Sequence, residues 1–287
     1  MHIVSDRGMD MSPEQMAGLD IHLVPLILTL EGKSYRSGVD IQPDEFYRLL
    51  MSTESFPTTS QPSAGDMAEL YRELAADDPD ILSIHISSGL SGTVNAARAG
   101  AEMVPEARVT IVDTKTLSGA EGWQVEAAAR AAKAGWPKER IIELLECISA
   151  VTDTIYTLAT LKYLIHGGRI NHIKGLLAQV LNIRPLIGVE KEHGTYVQHG
   201  QARTLDKAIL KIADHVMDRF APGTEMRFQV LHGHNAKGAA LLRQRLEGLF
   251  KCAFLPTSSI APVLGAHTGP GLVGLVFAPM SAFPEMP

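Results

Sequence analysis

The stretch that decides the fold is Ile81-Leu82-Ser83-Ile84-His85-Ile86-Ser87-Ser88-Gly89-Leu90-Ser91-Gly92-Thr93, followed by Val94-Asn95-Ala96-Ala97-Arg98-Ala99. An apolar run of strand length is followed by a hydroxyl-rich turn and then by residues that favour a helix, which is predicted to start near Ser91. Free N–H groups at a helix start, beside glycines and hydroxyls, bind carboxylate or phosphate without a formal positive charge. This stretch therefore predicts an anion-binding loop at the end of a strand.

A second hydroxyl-rich loop precedes it, at Thr58-Thr59-Ser60-Gln61-Pro62-Ser63. Ser63 and Asp66 mark the start of another helix in the pattern of a capping box. For either loop taken alone, caps and turns are the simpler interpretation of the Ser and Thr residues. Taken together, the two loops suggest one anion cradle.

Strand and helix patterns alternate on both sides of these loops over residues 1–150. A strand at Ile3-Val4 precedes a helix start at Ser12-Pro13, and an apolar, strand-like segment covers 21–30. Such alternation predicts an α/β domain with a mostly parallel sheet and helices on both faces. Ligand loops in such sheets lie at the carboxyl ends of the strands, and we expect both hydroxyl loops there.

The pattern changes after about Ala150, and residues 151–287 are predicted to form a second, α+β domain. Helices are predicted apart from a sheet whose strands look antiparallel, and Gly167-Gly168-Arg169 forms a turn. The predicted helices are 158–164, 176–181 and 205–220, and the predicted strands are 183–189, 193–197, 228–231 and 273–277.

Composition excludes several classes of protein. The 287-residue chain carries a net charge of −6 and has no Lys/Arg-rich run, which argues against nucleic acid as a partner. Cys147 and Cys252 stand far apart, and His232 and His234 lack a carboxylate at metal spacing, so no metal site is predicted. No signal peptide or membrane-spanning run is visible. We therefore expect a cytoplasmic protein with at most transient membrane contact.

Two residues suggest hydrolytic chemistry as an alternative. Ser91 invites comparison with a nucleophile elbow, but only Gly89 fits that frame, because Thr93 occupies the second glycine position. Asp6 follows the first strand as in some phosphatases, without the D-x-D pattern. A small-molecule hydrolase or phosphatase that uses Ser91 or Asp6 therefore stays the alternative function.

Six segments of the chain together form a recognisable series: Ile3-Val4-Ser5-Asp6, Thr59-Ser60-Gln61-Pro62-Ser63, Ile86-Ser87-Ser88-Gly89-Leu90-Ser91-Gly92-Thr93, Leu161-Lys162-Tyr163-Leu164, Gly167-Gly168-Arg169-Ile170 and His267-Thr268-Gly269-Pro270-Gly271. In the order and spacing of these segments, the whole chain resembles the DegV family of bacterial fatty-acid-binding proteins. Arg7-Gly8 departs from the family pattern, which more often has two small hydroxyl residues there.

The resemblance implies a binding protein, not an enzyme, that needs no cofactor and holds one long-chain fatty acid between its two domains. Thr59, Ser91 and His267 match the positions that hold the carboxylate. The resemblance also implies a partner, a separate fatty acid kinase that converts the bound fatty acid to acyl phosphate. Arg169 and Arg203 match positions that contact this partner or the phosphate. The supporting loop positions are Ser60, Ser88, Gly92 and Gly269.

Overall fold

The structure, a computed structural model, describes residues 1–173 and 183–283; the helix predicted at 176–181 lies outside these ranges. The strands are β1 (His2–Asp6), β2 (Ile21–Val24), β3 (Ile27–Leu30), β4 (Lys33–Arg36), β5 (Thr58–Ser60), β6 (Asp80–His85), β7 (Arg108–Asp113), β8 (Asp153–Thr157), β9 (Arg184–Val189), β10 (Tyr196–Ala202), β11 (Glu225–His232), β12 (Lys251–Phe254), β13 (Ser258–Ser259) and β14 (Val273–Pro279).

Helices alternate with the strands of the first half and lie between those of the second. The α-helices are α1 (Pro13–Met16), α2 (Pro43–Ser52), α3 (Ala64–Ala75), α4 (Thr93–Glu102), α5 (Ser118–Lys133), α6 (Lys138–Val151), α7 (Lys162–His166), α8 (Leu205–Met217), α9 (Ala236–Glu247) and α10 (Pro262–Thr268). Short 3-10 helices cover Arg169–Ile173 and Met280–Ala282.

The first sheet is parallel, in the order β2-β1-β6-β7. Because neighbouring residues of a strand point to opposite faces, Ile3 packs towards α5 and α6, whereas Val4 packs towards α3 and α4. The capping boxes predicted at Ser12 and Ser63 begin α1 and α3. The predicted α/β architecture with helices on both faces is confirmed.

The second sheet has the order β10-β9-β8-β14-β11-β12, with β13 beside the end of β11. Most of its pairs are antiparallel, but β11 and β12 run parallel, so the sheet is mixed. Val273, Leu275 and Phe277 pack in a cluster with α8 and α9, whereas the intervening Val276 belongs to a cluster that it shares with the first half of the chain. The division of the chain into domains at residues 150 and 151 stays a prediction.

The strand-like segment 21–30 does form strands, but it is divided into two, since Pro25 has no N–H to continue a ladder, and β3 joins a separate sheet of order β4-β3-β5. Two local predictions are wrong. Thr58–Ser60 is a strand of that small sheet, not a loop at the rim of the parallel one. Residues 158–164 do not form one helix: β8 ends at Thr157 and α7 starts only at Lys162.

Candidate functional site

A threonine and a histidine from distant parts of the chain meet at the centre of the site. Thr59 Oγ1 of β5 lies 2.7 Å from His267 Nε2, at the end of α10, and the two residues are 208 positions apart. Pro262 begins α10, where its fixed backbone angle suits the first turn of a helix. The structure therefore brings together two of the three residues predicted to hold a carboxylate.

The ring of His267 is neutral at physiological pH. Burial, and after it the charge of Arg169, lowers the pKa of His267 to about 4. A neutral imidazole has one N–H, and Thr59 has one O–H. Their mutual hydrogen bond uses one of these two donors, so the pair always keeps one donor for another acceptor.

The second ring nitrogen of His267 has no hydrogen-bond partner. Nδ1 is buried, and within residues 1–173 and 183–283 nothing bonds to it. A Cβ atom on Gly167 would lie 2.1 Å from Nδ1, so only glycine allows the ring to pack there. A buried polar atom without a partner costs free energy, and such atoms in native proteins are often functional.

The turn after His267 needs glycine. Gly269 has a φ of +70°, and a Cβ atom there would lie 2.1 Å from Cδ2 of Tyr163. Gly271 has a φ of +95° and would meet Ala159 in the same way. Tyr163 and Gly269 belong to separate sequence motifs, but in the structure they pack against each other. This contact holds the turn that follows His267 and so fixes the position of its ring.

Ser91 lies just before α4, which begins at Thr93 with Gly92 as its N-cap, two residues later than predicted. Ser91 Oγ lies 2.8 Å from Thr93 Oγ1 and accepts a hydrogen bond from the Thr93 N–H at 3.3 Å. A Cβ atom on Gly92 would lie 3.0 Å from the side chain of Gln61. Gln61 thus joins the segment of Thr59 to the N-terminus of α4, where the backbone dipoles favour an anion.

The remaining loop residues have different surroundings. Ser60 is exposed. Ser88 donates both its hydroxyl and its N–H to Asp113, so its hydrogen-bonding capacity is already used in fixing the loop. Gly92 and Gly269 matter for the close approaches described above. Sequence reasoning missed Gln61 and Gly167, although both lie inside motifs that it quoted.

The two arginines lie in different environments. Arg169 donates from Nη1 to the carbonyl of Gly167 at 2.7 Å. Its charge adds to the burial that lowers the pKa of His267, and it offsets part of the burial that raises the pKa of Tyr196. Arg169 is therefore close to the Thr59–His267 pair. Arg203 is exposed just after β10, and no contact in the described part of the chain joins it to that pair.

The residues of the hydrolase alternative are engaged in structural bonds. Asp6 is fully buried and accepts the N–H groups of Gly8 and Ile86 at 2.8 and 3.0 Å. It also contacts His85 Nδ1, at 3.1 Å. The hydroxyl of Ser91 contacts Thr93 and, among the described residues, no histidine. These contacts fix backbone and give neither residue the surroundings of a nucleophile.

An apolar cluster joins the two halves of the chain near this site. The cluster, here called the interdomain cluster, includes Leu28 and Trp123 of the first half and Leu158 and Val276 of the second. It contains a cavity of about 30 Å³, which has room for only about two water molecules. The cavity is lined by Leu117, Tyr156, Leu231, Leu264, Thr268 and Leu272 among others.

A larger cavity of about 380 Å³ lies elsewhere, around Arg7 and Asp10. Its wall mixes methionines with charged and hydroxyl side chains. Thr59 and His267 line neither of the two cavities. The wall of the small cavity is mostly apolar and includes Thr268, which follows His267 in the chain. Of the two cavities, the small one therefore has the wall that better suits an apolar chain.

Comparison with known proteins agrees with this geometry. Residues 1–280 match the model of a family described as uncharacterised proteins of the DegV family. The chain belongs to the DegV family. A DegV domain-containing protein of Listeria monocytogenes is 33% identical over 278 residues, which cover 96% of this chain and 97% of that protein.

Solved DegV structures share the fold over nearly the whole chain. A DegV protein of Thermus thermophilus, described as fatty acid binding, superposes with a TM-score of 0.86 at 32% identity, covering 97% of this chain and 99% of that one. DegV of Bacillus subtilis, described as a fatty acid binding protein, gives 0.87 at 28% identity, covering 97% and 98%. Among the described residues, no helix is long and apolar enough to cross a membrane.

Proposed function

We propose that this DegV protein binds one long-chain fatty acid, with the carboxylate at Thr59, Ser91 and His267 and the tail in the interdomain cluster. The observation that carries this proposal is the Thr59–His267 pair, which keeps one hydrogen-bond donor unused. The residue after His267, Thr268, lines a cavity with a mostly apolar wall. The solved relatives described as fatty acid binding support it.

The energetics of such a ligand fit this arrangement. At ~0.8 kcal/mol per buried CH2, a long tail supplies on the order of 10 kcal/mol before ordering costs. A carboxylate loses several kcal/mol when it leaves water unless hydrogen bonds replace its hydration. Neutral hydroxyls, backbone N–H groups and a neutral histidine provide those bonds. Because the cavity lined by Thr268 is small, the interdomain cluster must open to admit the tail.

The first test is occupancy. Native mass spectrometry of the protein purified from a bacterial host should show one long-chain fatty acid per chain, and lipid extraction should identify it. If only the free protein is seen, even after fatty acid is added, the proposed function is wrong.

The second test concerns the carboxylate. Thr59→Val and Ser91→Ala should each weaken fatty acid binding by roughly 1 to 3 kcal/mol, or about 5- to 150-fold in Kd, because a charged acceptor loses a donor. Isothermal titration measures the change, and circular dichroism checks the fold. Thr204→Ala is the matched control, because it removes a threonine hydroxyl whose hydrogen bond is to the first turn of α8. Unchanged affinity in both site variants would place the carboxylate elsewhere.

We further propose that the protein presents the bound fatty acid to a separate fatty acid kinase for conversion to acyl phosphate. The charge of Arg169, which acts on the ring of His267, supports a contact between this guanidinium and a phosphoryl group. Arg203 is exposed and free to meet an acidic partner surface.

The kinase role is tested separately from binding. Arg169→Ala and Arg203→Ala should keep the lipid in native mass spectra and slow acyl-phosphate formation by the kinase of the same organism, measured with radiolabelled ATP. The exposed Arg48, on α2, supplies the control variant Arg48→Ala. Wild-type rates in both site variants would contradict the assigned role, whereas loss of lipid would instead make these arginines part of the binding site.

A further inference from the structure

Two histidines and an aspartate meet at the end of the parallel sheet that is opposite to the Ser87–Thr93 loop. His2 begins β1, His22 lies in β2, and Asp20 directly precedes β2. The pairing Val4 with His22 places His2 and His22 on the same face, since side chains two apart on a strand share a face. One ligand atom from each of His2, Asp20 and His22 lies within 4.8 Å of the other two.

The ring nitrogens of this cluster are free to bind a ligand. Nε2 of His2 and Nε2 of His22 are both buried, and neither makes a hydrogen bond within residues 1–173 and 183–283. Each nitrogen lies near a carboxylate but does not form a hydrogen bond with it: His2 Nε2 is 3.4 Å from Asp77, and His22 Nε2 is 3.6 Å from Asp20. The two rings meet edge to face with their centres 5.3 Å apart.

This donor set has the chemistry of a transition-metal site. Two imidazole nitrogens with one or two carboxylates suit Zn²⁺ and its neighbours in the first transition row, whereas Ca²⁺ and Mg²⁺ prefer oxygen ligands alone. An ordinary surface pair of one histidine and one carboxylate lacks this combination of two buried ring nitrogens with a carboxylate. His193, for example, faces Glu192 at 3.8 Å, and both side chains are largely exposed.

We propose that His2, His22 and Asp20 bind a divalent transition metal, Zn²⁺ in the first instance, with Asp77 in reach as a fourth ligand. Tetrahedral Zn²⁺ with bonds near 2.0–2.1 Å needs ligand atoms roughly 3.3 Å apart. Small movements achieve this, because the side chains of Asp20 and Asp77 are each 86% exposed and free to turn. The metal would join β1, β2 and the segment after α3.

Metal binding at this cluster is predicted to stabilise the folded chain and to leave the proposed carboxylate site at Thr59, Ser91 and His267 unaffected. A ligand that binds only the folded chain stabilises it by mass action. None of its residues contacts Thr59, Ser91 or His267, because the cluster lies at the amino ends of β1 and β2. Zn²⁺ should therefore raise the melting temperature while the fatty acid affinity stays unchanged.

The test is titration of the full chain, freed of any polyhistidine tag, with ZnCl₂ in a non-chelating buffer. Calorimetry should show one Zn²⁺ per chain, and His22→Asn should weaken binding by at least about tenfold. His193→Asn is the matched control and should keep the wild-type affinity. Cu²⁺ bound to the wild type should show coupling to two nitrogens in its electron paramagnetic resonance spectrum.

Absence of saturable binding, or equal affinity in wild type and His22→Asn, would overturn the proposal. If His22→Asn fails to fold by circular dichroism, Asp20→Ala replaces it, because this side chain is exposed and its loss leaves the sheet intact. A copper spectrum with one nitrogen would also contradict the two-histidine site.

Discussion

Among the polar contacts that join the first half of the chain to the second, two differ in how completely their hydrogen bonds are satisfied. The first, here called the Gln229 junction, is centred on the fully buried side chain of Gln229. Its amide donates to the carbonyl of Asp10 at 2.9 Å and to Gln15 Oε1 at 3.3 Å. Its oxygen accepts from Trp123 Nε1 at 2.7 Å. The amide nitrogen and the amide oxygen of Gln229 are therefore both engaged within the protein.

The second contact, the His267 junction, consists of Thr59 and His267. Its single mutual hydrogen bond leaves Nδ1 of His267 unpartnered among the described residues and keeps one donor unused. The bonded side chain of the Gln229 junction is typical of a structural contact. The unused donor of the His267 junction is typical of a site that binds a hydrogen-bond acceptor. Substitutions should therefore affect folding at the first junction and binding at the second.

The largest expected effect is a pH dependence of the free energy of unfolding. It arises from the carboxyl group of Asp10, whose backbone carbonyl belongs to the Gln229 junction. Burial raises the pKa of Asp10 to about 7, against hydrogen bonds from Ser118 and from the N–H of Ala261 that act to lower it. The folded state therefore keeps a proton that the unfolded state loses near pH 4. Stability from this group is present below that pH and is lost as pH rises towards 7. Relative to Asp10→Asn, the wild type should lose up to about 4 kcal/mol between pH 4 and pH 8.

Urea denaturation of both proteins across this pH range measures the difference. Asp44→Asn, which changes a more exposed carboxyl on the wall of the same cavity, is the control and should follow the wild type. A constant difference between wild type and Asp10→Asn over the whole range would show that Asp10 does not titrate as described.

The next effect compares the two junctions directly. Gln229→Met should lower the free energy of unfolding by about 3 kcal/mol or more, because it leaves the Trp123 N–H and the Asp10 carbonyl buried without partners. Thr59→Val should lower it by about 1 kcal/mol or less, since the His267 junction is incompletely bonded. Urea midpoints of the two variants at neutral pH give the comparison, and equal losses would remove the distinction between the junctions.

The sequence predicted the parallel sheet well because its signals are local. Strands such as the one within Ile81–Ile86 are mostly apolar, and Ser12 and Ser63 carry their capping partners three residues away. By contrast, β8 was missed because Asp153–Thr157 is only five residues long and has neither a continuous apolar run nor a regular polar and apolar alternation. The exposed three-residue strand β5 has no sequence signal of its own and depends on pairing with β3.

The candidate site depended on contacts that no local pattern encodes. Thr59 meets His267 across 208 positions, and Gln229 meets Asp10 across 219. The first pair was named only through the family resemblance, and the second was not predicted at all. Gly167 was interpreted as part of a flexible turn, whereas the structure shows that it makes room for a ring.

The smallest expected effect is an electrostatic one at the His267 junction. Arg169→Gln should raise the pKa of His267 somewhat, because the charge of Arg169 is the second cause of its lowering, after burial. The pKa should still stay below that of an exposed histidine. NMR titration of the imidazole gives the value, and Arg203→Gln should leave it unchanged. A fall in the pKa, or equal shifts in both variants, would contradict the placement of Arg169.

The most direct test of the central claim is NMR of ¹⁵N-histidine-labelled protein during titration with a long-chain fatty acid. The nitrogen signals of His267, assigned by their absence in His267→Asn, should shift and saturate at one fatty acid per chain. The fully buried His85, held by Ser83 and Asp6, should not respond. Saturated lipid binding with unmoved His267 signals would show that the carboxylate lies elsewhere.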